Sequence, residues 1–246
     1  MVKKRLEGRI PGAFNDSLAL NLAKRLAFFP LYMDQVSSFI ESTKMALDQF
    51  DQICPGISDD ELQCLSPDSL WHSSSVAQAI EAPIVMKLDR ETRRVLATIS
   101  FFDPDQIPEK LLISATGEVP VLSTAFRSKQ VLLSLARYSL IYLDVGEIRQ
   151  DRCISLHRLV RDAALRLEPN PQAIFDDAVK LLRDRFPLHG LARDHMVEQW
   201  DECETFQPHV LALHRQYQEI KAKECLQASF DFIELVYSCA WYVLTG

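Results

Sequence analysis

The sequence predicts a mainly α-helical fold with one small β element. Three observations carry this. Apolar residues recur at helical spacing in nearly every segment, glycine is scarce (7 in 246 residues), and only one place sets two short apolar runs around a polar turn. A turn-dense all-β fold and a Gly-rich phosphate loop are both disfavoured by so few glycines.

The elements follow in order. Asn15 or Asp16 can cap a helix through about Phe28, with Leu18, Leu22 and Leu26 on one face. Pro30 suits the first turn of a second helix, PLYMDQVSSFIEST, and Thr43 can cap a third, KMALDQFDQI. The stretch from about 54 to 73 is rich in Ser, Asp and Pro and reads as a boundary loop. Helical patterns resume over 75–87 and 89–100. Pro104 and Pro108 frame DPDQIP, a turn that stops one helix and starts the next. TAFRSKQVLLSLAR (124–137) is amphipathic, with Phe126, Leu132 and Leu135 as its apolar positions. SLIYLD and CISL then flank VGEIRQDR as a β-hairpin, and HRLVRDAALRL returns to helix. Helices, a hairpin and a closing helix form the order of a winged helix-turn-helix.

Beyond residue 170 three more helical stretches are expected: PQAIFDDAVKLLRDRF, then ARDHMVEQWDECETF, then a long one from PHVLAL to YVLTG. The last glycine is expected to lead into a further helix, so the chain reads as stopping at a repeat boundary.

Composition narrows the function. Hydrophobic residues make up 48% and charged residues 25%, the balance of a soluble globular protein. The net charge of -7 gives no general attraction for nucleic acid or anionic lipid. MVKKRLEGRIPG has basic residues with no apolar run behind them, so no signal peptide is expected, and no run is long enough to span a bilayer. Six scattered cysteines (54, 64, 153, 203, 225 and 239) without a CxxC pair read as reduced thiols of a cytoplasmic protein.

Three strings, in this order, resemble the fungal signal-transduction NTPases in which an NB-ARC module precedes tetratricopeptide repeats. RLAFFPLYMDQVSSFIES (25–42) is similar to the family's Gly-Leu-Pro segment and the helix after it. LATISFFDPDQIPEKLL (96–112) is similar to the opening of its winged helix. ARYSLIYLD with ISLHRLVRDAA (136–164) resembles its Met-His-Asp segment. EQWDECETFQPHVLAL (198–213) looks like the lead-in to its repeats. The likeness spans about residues 15–246.

It implies an ARC-like helical segment over 1–53, a linker over 54–73, a winged helix over 74–168, and a helical lead-in to tetratricopeptide-type repeats over 169–246. It also implies that Pro30 stands where the family's proline packs near adenine, and His157 where its histidine contacts the β-phosphate of bound ADP. A histidine at a helix start can donate to phosphate, and the helix N-terminus adds favourable potential.

The departures define the expected function. No GxxxxGK[ST] occurs, and no Walker B strand is found. Phe28 replaces the glycine of Gly-Leu-Pro, and Arg158 replaces the aspartate of Met-His-Asp. The chain therefore reads as the C-terminal part of such a switch: a non-catalytic regulatory and protein-interaction fragment. It holds no cofactor alone, while ADP or ATP belongs to the full-length family. Its expected partners are a P-loop nucleotide-binding domain in cis or trans and proteins bound by the repeats, with no membrane and no nucleic acid.

The alternative is a winged-helix DNA-binding protein. Residues 121–166 carry eight Arg or Lys against four acids. Yet the candidate recognition helix offers only Arg127, Lys129 and Arg137 and is otherwise apolar on too many sides.

Other candidates read as structural. Arg158, Arg161 and Arg166 beside Asp162 make a solvated or interdomain face. His189, His195, His209 and His214 with Cys203 lack metal-ligand spacing, and no metal site is expected. Asp103 and Asp105, between prolines, cap helices or stabilise turns instead of doing acid–base work. Trp200, Phe230, Phe232, Tyr237, Trp241 and Tyr242 pack helices. No nucleophile elbow is present, and no catalytic residue is expected.

Overall fold

A computed structural model describes residues 16–25, 30–46, 49, 74–112, 125–145, 152–189, 199–221 and 226–245. It is mainly helical with one small antiparallel sheet of three strands. The elements are α1 (Asp16–Arg25), α2 (Pro30–Thr43), α3 (Ser74–Lys87), α4 (Arg90–Ile99), β1 (Ile107–Pro108), a 3₁₀ turn (Glu109–Leu112), α5 (Ala125–Arg137), β2 (Tyr142–Val145), β3 (Arg152–Ser155), α6 (Arg158–Arg166), α7 (Pro171–Arg183), α8 (Trp200–Lys221) and α9 (Phe230–Thr245). No helix among the described residues is long and apolar enough to cross a membrane.

The chain divides into two compact units. The first is residues 1–89 with 134–140; the second is residues 90–133 with 141–246. In the first, α2 packs on α3. Val36, Phe39 and Ile40 of α2 and Ile80 and Ile84 of α3 are buried. The α2 sequence is half polar, and its hydroxyls turn inward onto the helix itself. Ser37 donates to the Met33 carbonyl (2.5 Å), Ser38 to Asp34 (2.8 Å) and Thr43 to Phe39 (2.8 Å). Bonding to the carbonyl one turn back lets such residues be buried without orphaned hydroxyls.

Thr43 is therefore the last residue of α2 and not the cap of a third helix. The chain leaves α2 through Lys44, which has φ 52°. Lys44 N donates to Glu41 O, and Met45 N to Ile40 O. This is a Schellman ending with lysine where glycine is usual. Of KMALDQFDQI beyond Ala46, only Gln49 is described; it is helical, and its Oε1 accepts from Ala46 N (3.3 Å).

In the second unit, α4 has one face of Val95, Leu96 and Ile99 fully buried and leads into buried Phe101 and Phe102. Here the sequence pattern misses a strand. Ile107 and Pro108 do not simply start a helix; they pair antiparallel with Ile154 and Cys153 of β3. Two residues, one a proline, leave no alternation to read, and proline is accepted because β1 is an edge strand. The expected hairpin is present as β2 and β3, with Tyr142 opposite Ser155 and Val145 opposite Arg152, giving the sheet order β1-β3-β2.

Helix α5 corrects one assignment. Leu132 and Leu135 are buried, but Phe126 is 73% exposed. At 100° per residue Phe126 lies about 120° around the helix from Leu132. The buried stripe runs instead through Ser128, Val131, Leu132 and Leu135.

Helices α7, α8 and α9 pack on one another, and α7 also packs on α4. Asn170 caps α7 as its Oδ1 accepts from Ala173 N (3.1 Å), with Pro171 at the first position. Phe175 of α7 is the hub: its ring lies 5.8 Å from Phe101, 5.4 Å from Tyr217 and 5.0 Å from Phe232. Helix α8 runs unbroken through Pro208, where the sequence predicts two helices meeting. A mid-helix proline costs about 3 kcal/mol. The buried face of Phe206, Val210, Leu213 and Tyr217 on both sides of it offsets that. The single long helix expected from Pro208 onward ends at Lys221, and Ser229 opens α9, its Oγ accepting from Phe232 N (3.2 Å). Gln172 of α7 clasps the backbone just before α9, accepting from Gln227 N (2.8 Å) and donating to Gln227 O (3.2 Å).

Ion pairs to α4 and α9 brace α7. Arg94 of α4 donates from Nε to Asp177 (2.6 Å), which is 6% exposed. Arg183 reaches Glu234 (2.8 Å) and Asp231 (3.3 Å) of α9 at the surface. Burial pushes the Asp177 carboxyl above its ordinary value, and the Arg94 bond draws it back.

Candidate functional site

His157 is built into the start of α6. Leu156 is tied down by its N–H to Pro104 O (2.9 Å), so β3 is held as it ends. His157 then has φ −73° and ψ 138°, extended backbone, and serves as the N-cap. Its carbonyl accepts from Val160 N (2.9 Å) and Arg161 N (3.1 Å), while its side chain Nδ1 accepts from Leu159 N (3.3 Å). Imidazole is a rare N-cap; here it takes the role usually given to Ser, Thr, Asp or Asn.

This bond fixes the chemistry of the ring. An accepting Nδ1 carries no proton, so neutral His157 holds its hydrogen on Nε2. Partial burial lowers the pKa below 6.5, the Arg158 charge lowers it further, and Asp162 opposes them. At pH 7 the ring is neutral, with one donor, Nε2–H, left after the cap is made. The sequence allowed a neutral or a charged ring; the geometry selects the neutral one. Arg158 is exposed beside it, and Arg161 bonds through Nε to Asp162 (3.0 Å).

Pro30 is the first residue of α2 and is exposed, the position a proline takes for helix initiation. It belongs to the first unit and His157 to the second. Phe28 lies outside the described residues.

The remaining polar candidates take structural places. Asp103 Oδ1 accepts from Asp105 N (3.1 Å), so this pair closes a turn. The histidines disperse. The His189 ring stacks on Trp241 at 4.4 Å, His214 faces Phe232 at 6.3 Å, and His209 meets Phe102 edge-on at 6.1 Å. His195 lies outside the described residues. Among the described residues no group of three His, Cys, Asp or Glu side chains could hold a metal ion.

His209 is the residue that spacing could not single out. It is 2% exposed, its Nδ1 has no hydrogen-bond partner, and burial lowers its pKa to about 4, with nearby Asp103 opposing. The expected packing aromatics divide as well. Phe232 is buried, but Phe230 is 76% and Tyr237 56% exposed on α9. With Ile233 (56%) and Leu244 (83%) they form an apolar stripe along one side of that helix.

Residues 85–169 match the model of a family described as "Domain of unknown function (DUF7779)". The match runs from the end of α3 past α6 and so contains the sheet and His157. No curated protein matches the chain.

Proposed function

We propose that this chain is a non-catalytic regulatory and protein-interaction module of the NB-ARC and tetratricopeptide kind. In this reading residues 74–168 are a winged helix that reads nucleotide state through His157, and α7 to α9 begin a protein-binding helical array. The order α4, β1, 3₁₀ turn, α5, β2, β3, α6, with strands arranged β1-β3-β2, supports the winged-helix part. The stacked α7, α8 and α9 and the exposed stripe on α9 support the second part.

The observation that carries the sensor reading is the His157 cap. The ring is held by Leu159 N–H at one nitrogen and keeps one N–H donor at the other. A phosphate oxygen is an acceptor only, so it suits that donor. ADP or ATP would be held by a P-loop domain in cis or trans, because this sequence has no GxxxxGK[ST]. For the same reason no Mg-ATP turnover is expected, and turnover that persists through further purification would refute the non-catalytic reading. The protein partners and the cytoplasmic setting belong to the same proposal.

An ADP titration by calorimetry tests it, with His157→Ala and His157→Asn beside the unaltered chain. Asparagine keeps a capping acceptor and loses the imidazole donor. Binding by the unaltered chain that both variants lose supports a sensor. No heat in any of the three, with or without a P-loop nucleotide-binding domain added in trans, removes nucleotide sensing from this chain and leaves a docking module.

The competing reading, a DNA-binding winged helix, would lay α5 in the major groove. Arg127 on that helix is engaged with Glu91, and its exposed face carries Phe126 and Leu133 beside Lys129. Such a surface is poor for groove binding. Duplex binding that falls steeply with salt would favour DNA instead.

A further inference from the structure

Helices α8 and α9 carry a pair of cysteines that the proposed function does not use. Two ring contacts fix the register of these helices. Tyr217, late in α8, meets Phe232, early in α9, at 4.9 Å; Trp200, at the start of α8, meets Tyr242, late in α9, at 6.3 Å. The helices are therefore antiparallel.

Cys203 stands three residues after Trp200, and Cys239 three residues before Tyr242. One helical turn inward from the same ring contact, both step toward each other's level. Both face the interior, at 0% and 2% exposure, and both are free thiols. Burial pushes each thiol up to about 11, Glu202 adds to the effect on Cys203, and Cys203 is close enough to raise Cys239 further. A third described cysteine, Cys153, sits in β3.

We propose that Cys203 and Cys239 are a dithiol pair that closes to a disulfide across α8 and α9, a redox-sensitive staple on this pair of helices. The oxidant is a hydroperoxide. One sulfur, as thiolate, attacks a peroxide oxygen. The O–O bond breaks and, with one proton taken up, water leaves and a sulfenic acid remains. The second sulfur then attacks the first, the S–S bond forms, the S–O bond breaks, and a second water leaves. With hydrogen peroxide, two thiols and one peroxide give one disulfide and two waters.

Burial keeps the thiolate scarce, so the closed helix pair reacts slowly, as a structural thiol does. Once formed, the bond closes a loop of 36 residues in sequence and restricts the unfolded chain.

The test uses the full chain with Cys54, Cys64, Cys153 and Cys225 changed to serine. It is treated with hydrogen peroxide and read by intact mass, thiol alkylation and melting. The expected result is loss of two hydrogens, no remaining thiol, one cross-linked peptide joining 203 to 239, and a melting temperature raised by roughly 5–10 °C. Dithiothreitol should reverse all four. Oxygen added to single cysteines, or two thiols surviving in the folded chain, would overturn the proposal. If the serine variant does not fold, the unaltered chain is oxidised and mapped; a dominant 203–239 cross-link upholds the pair, and any other outcome overturns it.

Discussion

The two units are held by different chemistry. At the centre of the second, Phe101, Phe175, Tyr217 and Phe232 from four segments meet ring to ring. The first has a polar seam. There Ser38 and Ser139 share a hydroxyl hydrogen bond of 2.6 Å, and Gln35 donates from Nε2 to Ser139 O at 3.5 Å. Gln35, Ser38 and Ser139 are all buried, and Gln35 Oε1 has no partner. Aromatic burial is non-directional and strong in aggregate. A buried polar contact stabilises little net but is expensive to leave half made. The first kind of centre should lose stability in proportion to volume removed, and the second in proportion to partners orphaned.

Removing the hub gives the largest expected effect. Phe175→Ala deletes a side chain with 0% exposure that touches three other rings. A loss of about 3–5 kcal/mol in the second unit is expected from urea unfolding followed by Trp200 and Trp241 fluorescence. A loss below about 1 kcal/mol would mean the cluster is not the keystone described.

His209 is the polar exception inside the aromatic unit, and it makes that unit sensitive to acid. Its folded pKa is about 4 against an ordinary 6.5. Between those values the unfolded chain binds a proton that the folded chain refuses, so stability rises with pH there. This contribution is complete above about pH 6.5 and is lost as pH falls towards 4. The gap corresponds to on the order of 3 kcal/mol. His157 acts in the same direction, its pKa also being lowered. Unfolding free energy measured from pH 7.5 to 4.5 should slope less steeply in His209→Phe than in the unaltered chain. Equal slopes would show that His209 is protonated without resistance.

The seam in the first unit responds more weakly. Ser38→Ala removes one partner of the 2.6 Å contact while Ser139 stays 6% exposed. About 1–2 kcal/mol of local stability should be lost. Hydrogen exchange of the α2 amides is the readout, and exchange faster by roughly 5–30-fold is expected there. Unchanged exchange would mean that the seam is neutral, and that α2 rests on Phe39 and Ile40 alone.

The same contrast explains what could be read from the residues alone. Helices with one dominant apolar face, such as α4 and α7, were legible, because the apolar period is local. The start of α6 at His157 was legible too. What failed was non-local. Strand β1 exists only because β3 lies beside it, and α8 survives Pro208 only because its flanking residues are buried. The Arg94–Asp177 pair spans 83 residues and has no local signature. For the candidate site, the helix-start histidine was visible, but the role of its Nδ1 was not. That role follows from the extended backbone at 157, which turns the imidazole back onto Leu159 N.

The smallest effect is at the join that sets β1 in place. Gln106 is exposed, has φ 54°, and donates its N–H to Ser155 Oγ (3.4 Å) just before Ile107 enters the sheet. A left-handed conformation costs a residue with a Cβ about 1–2 kcal/mol, whereas glycine accepts it freely. Glycine also gains freedom in the unfolded chain, worth roughly 0.5–1 kcal/mol against folding. Gln106→Gly should therefore stabilise the second unit by only about 0.5 kcal/mol, read as a small rise in urea midpoint at unchanged slope. Gln106→Val should move the midpoint the other way, since a β-branched side chain is least tolerant of positive φ. If both substitutions left the midpoint alone, the Gln106 turn would not be holding β1. The short strand would then depend on its pairing with β3 and on the buried Ile107 side chain.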